Sequence, residues 1–116
     1  MKASRFRGIF ERFGHVRSKE VDMAVMITAE VKGQTQQGYD GMLAVLGPVI
    51  RQAKGFILHA AHPVEDGWRV IELWESKADA DQFFAKNVAP HLPPGIRPKR
   101  SVQTLHALVR PEPGAT

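Results

Sequence analysis

The stretch GWRVIELWESKADADQFF, residues 67–84, changes period in its middle. Up to Trp74 the side chains alternate in character, the period of two that marks a strand. From Ser76 onward the apolar residues recur at helical spacing, and Ser76 with Asp79 three residues later matches a capping box. A strand therefore runs straight into a capped helix. That strand carries Glu72 between Val70 and Trp74 on one of its faces, so the face is not a plain apolar core.

Working outward, FILHAAHP (56–63) predicts a second strand, joined through VEDG with Asp66-Gly67 as hairpin chemistry. MAVMITAEV (23–31) is rich in β-formers and predicts the first strand. Between them Tyr39, Met42, Leu43, Leu46, Val49, Ile50 and Ala53 follow the spacing of a helix with one buried stripe. Lys54-Gly55 closes it, and Pro48 predicts a kink or a break because it removes an amide donor and crowds the preceding turn. Ala80, Phe83, Phe84 and Val88 make the buried stripe of the second helix. APHLPPGIRP (89–98) predicts a loop, since four prolines in ten residues cannot continue a helix. KRSVQTLHALV (99–109) predicts the last strand, and residues 111–116 a loose tail.

The order is β-α-β-β-α-β, the α+β ferredoxin-like arrangement of a four-stranded antiparallel sheet with both helices on one face. The other face is left uncovered, and must be polar or covered by a partner.

The 116 residues suffice for one domain, here residues 23–110. No run approaches the roughly 20 apolar residues of a membrane span. There are no cysteines, which excludes disulfides, thiolate catalysis and cysteine-based zinc sites and suits a cytoplasmic protein. The net charge of +4 is concentrated at one end: residues 1–22 hold six basic and three acidic groups, against ten and nine in the rest. The nearly neutral body lacks the basic face and stacking aromatics of a nucleic-acid-binding domain. In residues 1–22, Phe6, Ile9, Phe10 and Phe13 form one helical stripe. They predict a basic amphipathic extension that packs on the body or lies outside the functional domain, with membrane contact as the competing reading.

The hairpin register sorts the strand faces. If His59 stands opposite Glu72 or Trp74, then Ile57, His59 and Ala61 share a face with Val70, Glu72 and Trp74. The opposite face collects Phe56, Leu58, Ala60, Ile71 and Leu73, and its apolar character assigns it to the helices. Glu72 then looks away from the helices, with Thr28 and either Thr104 and His106 or Gln103 and Leu105. A histidine opposite a glutamate reads as a base with its orienting carboxylate, or as a structural hydrogen bond. Metal binding has little support: His59 and His62 point to opposite faces, and the other histidines form no ligand spacing.

GFILHAAHPVEDGWRVIELWESKADADQFF (55–84) resembles the antibiotic-biosynthesis-monooxygenase group of the dimeric α+β-barrel superfamily. The resemblance covers about residues 23–110 and rests on the glycine-led strand, the hairpin and the ELWES strand end before an S-x-x-D helix. It implies a homodimer whose uncovered sheet faces pack into a barrel. It also implies a ligand pocket between sheet and helices within each subunit, beside the barrel interior as the second candidate. The haem-degrading branch is similar at the strand–helix junction but uses an asparagine on the first strand, a tryptophan on the second helix and a histidine near that helix's end. Here the strand offers Met26 or Thr28 and the helix offers Phe83; only His91 lies near its expected place.

Without a cofactor, an oxygenase must use its substrate's own electrons, which limits it to readily deprotonated aromatics such as phenols and quinols. The expectation is a cofactor-independent monooxygenase with His59 as base and Glu72 orienting it. Trp74, Phe83, Thr28, His106 and His91 are the candidate substrate contacts. A non-catalytic small-ligand-binding or structural dimer is the alternative.

Overall fold

In the computed structural model, described here for residues 23–114, β1 (Val25–Lys32) pairs with two neighbours at once. On one side lies β3 (Gly67–Trp74), on the other β4 (Lys99–Thr104). β2 (Phe56–Val64) completes an antiparallel sheet of order β2-β3-β1-β4. The amphipathic extension expected over residues 1–22 lies outside the described residues. No helix among the described residues is long and apolar enough to cross a membrane.

Two helices connect the strands. α1 (Gln36–Ile50) is opened by Thr35, whose hydroxyl accepts the Gly38 amide at 3.0 Å. It runs through Pro48 without the expected break and stops two residues later, at Ile50. A proline so near the C-terminal end disturbs little of the helix beyond it. The expected closing glycine, Gly55, instead ends the turn into β2 with φ +83°, and a Cβ there would lie 2.3 Å from Asp79 Oδ2.

α2 (Lys77–Phe83) opens as the capping pattern requires: Ser76 Oγ accepts the Asp79 amide at 3.1 Å. It then widens into a π turn over Phe84–Val88 and ends in a single 3₁₀ turn over Ala89–His91, where loop was expected. The prolines that follow end it.

The hairpin places His59 opposite Glu72, Ala60 opposite Ile71 and Leu58 opposite Leu73. Its tight turn is Glu65-Asp66 rather than Asp66-Gly67. Gly67 already belongs to β3, where a Cβ would lie 2.2 Å from the Val31 carbonyl oxygen. A bulge between Phe56 and Leu58 absorbs Ile57 and returns Phe56 to the face of Trp74. The last strand stops at Thr104, five residues before its expected end, although the Leu105 amide still reaches the Ala24 carbonyl at 2.9 Å.

The assignment of faces is corrected by the packing. The helices cover Val25, Ile27, Glu72 and Trp74, not Leu58, Ile71 and Leu73. Trp74 is fully buried, with Val25, Ile27, Ile50, Ala80 and Phe83 around it. Phe56 meets its ring edge-on at 5.5 Å, and Phe83 tilts against it at the same distance. The uncovered face carries Met26, Thr28, Leu58, Ala60, Ile71 and Leu73, all six of them cross-strand partners within the set. The uniform apolar set of the hairpin reads as the helix side in the sequence, yet the helices cover the layer that contains a carboxylate. It is tolerated there because its oxygens are hydrogen-bonded.

Candidate functional site

Glu72 sits at the centre of β3, beside the buried Trp74. Trp74 Nε1–H donates to Glu72 Oε1 at 2.8 Å. His59, directly opposite on β2, places Nδ1 2.7 Å from Glu72 Oε2. His59 Nε2 lies 2.6 Å from the hydroxyl of Tyr39, on the first turn and a half of α1. An ionised carboxylate only accepts, so Nδ1 carries the hydrogen towards Glu72. In the neutral imidazole Nε2 is then an acceptor, and it takes the Tyr39 hydroxyl hydrogen. With His59 neutral, the four side chains form one row in which Tyr39 donates to His59 and His59 to Glu72, with Trp74 closing the far end.

Burial shapes the electrostatics of this row. The side chains of His59 and Glu72 are both 20% exposed. Burial first, then the negative charges of Glu72 and Asp40, raise the Tyr39 hydroxyl above its ordinary pKa. The hydroxyl therefore keeps its hydrogen and can donate it to a neutral His59. Tyr39 is also stacked on His59 at 6.0 Å and on Trp68 at 5.6 Å, which fixes its ring.

The row opens into a cavity of about 130 Å³ between the sheet and both helices. A cavity of this size is comparable to one that accepts an aromatic ring. Its walls are apolar and aromatic, from Ile27 and Val70 on the sheet, Met42 and Leu46 on α1, and Phe83 and Phe84 on α2 and its π turn. The π turn takes more residues per turn than an α-helix, and Phe83, Phe84 and Val88 all reach the cavity.

Of the residues singled out in the sequence, His59, Glu72 and Phe83 meet at this cavity. Trp74 lies behind Glu72, in the core, and reaches the cavity only through its hydrogen bond. Thr28 points to the opposite face of the sheet, as the partner of Ile71. His106 lies exposed beyond the end of β4. His91 belongs to a separate shallow groove on the outside of α1 with Gly41 and Val45, and its Nδ1–H donates to the Asn87 carbonyl at 2.8 Å.

Sequence reasoning missed Tyr39, Trp68 and Arg100 as lining residues. Tyr39 is the one hydroxyl in an otherwise aliphatic helix stripe, and that is the signal that marks it. Arg100 gave no such signal, because its face depended on the pairing of β4. Among the described residues no group of three potential ligands could hold a metal ion.

No protein-family model matches this sequence, and no curated protein matches it significantly. Solved structures do match it in shape. SnoaB, a cofactor-independent oxygenase from Streptomyces nogalater, superposes with a TM-score of 0.53, at 12% identity, over 76% of this chain and 97% of its own. A mutant of SnoaB gives 0.55 with the same identity and coverage. A monooxygenase from the gene ActVA-Orf6 of Streptomyces coelicolor, in complex with nanaomycin D, is 22% identical over 84% of this chain and 99% of its own, with a TM-score of only 0.38. The α+β ferredoxin-like fold implied by the resemblance to antibiotic-biosynthesis monooxygenases is the fold this chain shares with SnoaB.

Proposed function

We propose that this protein is a cofactor-independent monooxygenase of a phenol- or quinol-type aromatic, with the cavity beneath the helices as its active site. The observation that carries the proposal is the row Tyr39–His59–Glu72–Trp74 ending at an aromatic-lined cavity. Such a row can take a proton from a substrate hydroxyl held between apolar walls. His59 is the base, Glu72 holds its tautomer, and Tyr39 passes the proton from the cavity to Nε2. The resulting phenolate is electron-rich enough to reduce dioxygen itself. One oxygen atom enters the ring at a C–H carbon and the other leaves as water. A phenol and dioxygen thus give a quinone and water, with all four electrons supplied by the substrate.

The same reading makes the protein a homodimer through the uncovered sheet face. Leu58 there is 42% exposed, and Met26, Ile71 and Leu73 extend the apolar surface around it. A surface of this kind favours burial against a second copy. Sedimentation at micromolar concentration that gives only a 12.9 kDa species would sink the dimer.

The activity is tested by a thermal-shift screen of phenols, quinols and aromatic acids on the full chain, followed by oxygen uptake on each hit. The proposal expects a hit that consumes one dioxygen per quinone formed, without added cofactor. A tight hit with no oxygen consumption would place the protein among non-catalytic ligand binders of the same fold.

A further inference from the structure

We infer that the cavity selects an aromatic ligand bearing an acid group, and that Arg100 pairs with that group. The inference rests on the proposed function only in taking this cavity as the ligand site. Among the described lining residues Arg100 is the one permanent cation. Its side chain is 22% exposed, and its guanidinium lies 4.4 Å from the centre of the Phe84 ring, which keeps the planar fork in place. Arg100 Nη1–H donates to Asp81 Oδ1 at 3.2 Å, a long contact, and Asp81 is shared with Lys77. Two cations on one carboxylate leave a net positive charge at this end of the cavity. A guanidinium has five N–H groups, so donors remain for a bidentate carboxylate.

The opposite end is negative. Glu72 pairs with Ile27, Ile27 pairs with Val102, and Arg100 stands two residues from Val102. Two strand spacings and a two-residue step separate the Cα atoms of Glu72 and Arg100 by roughly 12 Å. Between the two ends the walls are apolar. Charge therefore sorts the ligand end for end. An acid group is repelled by Glu72 and attracted by Arg100, which leaves a hydroxyl at the far side of the ring system to meet Tyr39.

The test compares a hydroxynaphthoate with its methyl ester, titrated into the full chain by calorimetry. The two share ring and hydroxyl and differ in charge. The acid is expected to bind at least about tenfold more tightly than the ester, as a charge-assisted hydrogen-bonded pair requires. Arg100→Gln should remove that preference while the ester's affinity stays within about twofold, and Arg100→Lys should keep part of it as a point charge without the fork. Equal binding of acid and ester by the wild type, no binding of either, or equal losses for both probes in Arg100→Gln would each overturn the inference. Should the glutamine variant fail to fold, an undiminished acid preference in Arg100→Lys at rising salt would overturn it too, because the pair must be screened. Oxygen uptake plays no part in this readout. An acid preference without turnover keeps the inference and removes the oxygenase reading.

Discussion

The two faces of the sheet both carry apolar residues and put them to different use. The covered face holds Val25, Ile27 and Trp74 in a tight core at one end. At the other it opens into a cavity with Tyr39, His59 and Glu72 in hydrogen-bond contact. The uncovered face groups Met26, Leu58, Ile71 and Leu73 into an apolar patch with Leu58 exposed, and carries Glu30, His62 and Arg69 beyond it. The apolar run of one hairpin therefore does not tell which side the helices take. The covered layer holds His59 and Glu72 because it satisfies each of them with a hydrogen bond, and the apolar patch on the other face is the surface proposed for the dimer.

The largest effect expected from this contrast is in the core. Trp74→Ala removes the only fully buried large side chain among the described residues and the donor that holds Glu72. It should cost about 3–5 kcal/mol in denaturant unfolding. A loss below about 1 kcal/mol would mean that Trp74 is not central to packing.

The uncovered face should respond in the opposite way. Leu58→Arg is predicted to leave the unfolding free energy of the monomer within about 0.5 kcal/mol, as for a surface change. In sedimentation it should abolish the dimer, since a charge would be buried unpaired. An unchanged dimer would move the interface elsewhere.

A smaller effect sharpens the electrostatic side. Burial and then the charges of Glu72 and Asp40 raise the Tyr39 pKa in the folded chain above the ordinary tyrosine value of 10.0. A raised folded pKa contributes stability that is fully present below pH 10 and is lost as pH climbs through the folded value. Tyr39→Phe should therefore flatten the alkaline limb of the stability curve and leave the neutral region nearly unchanged in shape. Identical alkaline limbs would mean that Tyr39 is not held by this environment.

Much of the fold was legible in short-range chemistry. The strand alternation, the Ser76 cap and the pairing of His59 with Glu72 depend on neighbours in sequence or across one hairpin. The side of the sheet that receives the helices depends on packing between distant segments, and no period in the strands encodes it. The bulge at Ile57 compounds this, because one extra residue carries Phe56 to the other face. Of the candidate site, His59 and Glu72 were found as a cross-strand pair. Tyr39 was read as one more member of a helix stripe, and its approach to His59 spans 20 residues. Thr28 was included by assuming that the first strand faced the other way. His106 was included by running the last strand past Thr104.

The most direct test sets two histidines of one strand against each other. His59 lies on the cavity side and His62, three residues on, is exposed on the other face opposite Arg69. With a substrate found by the oxygen-uptake screen, kcat/KM should fall at least about 100-fold in His59→Ala, the range of a lost general base. In His62→Ala it should stay within about twofold of wild type, as for a residue outside the site. Full activity in His59→Ala, or equal losses in both variants, would contradict the placement of the reaction beneath the helices.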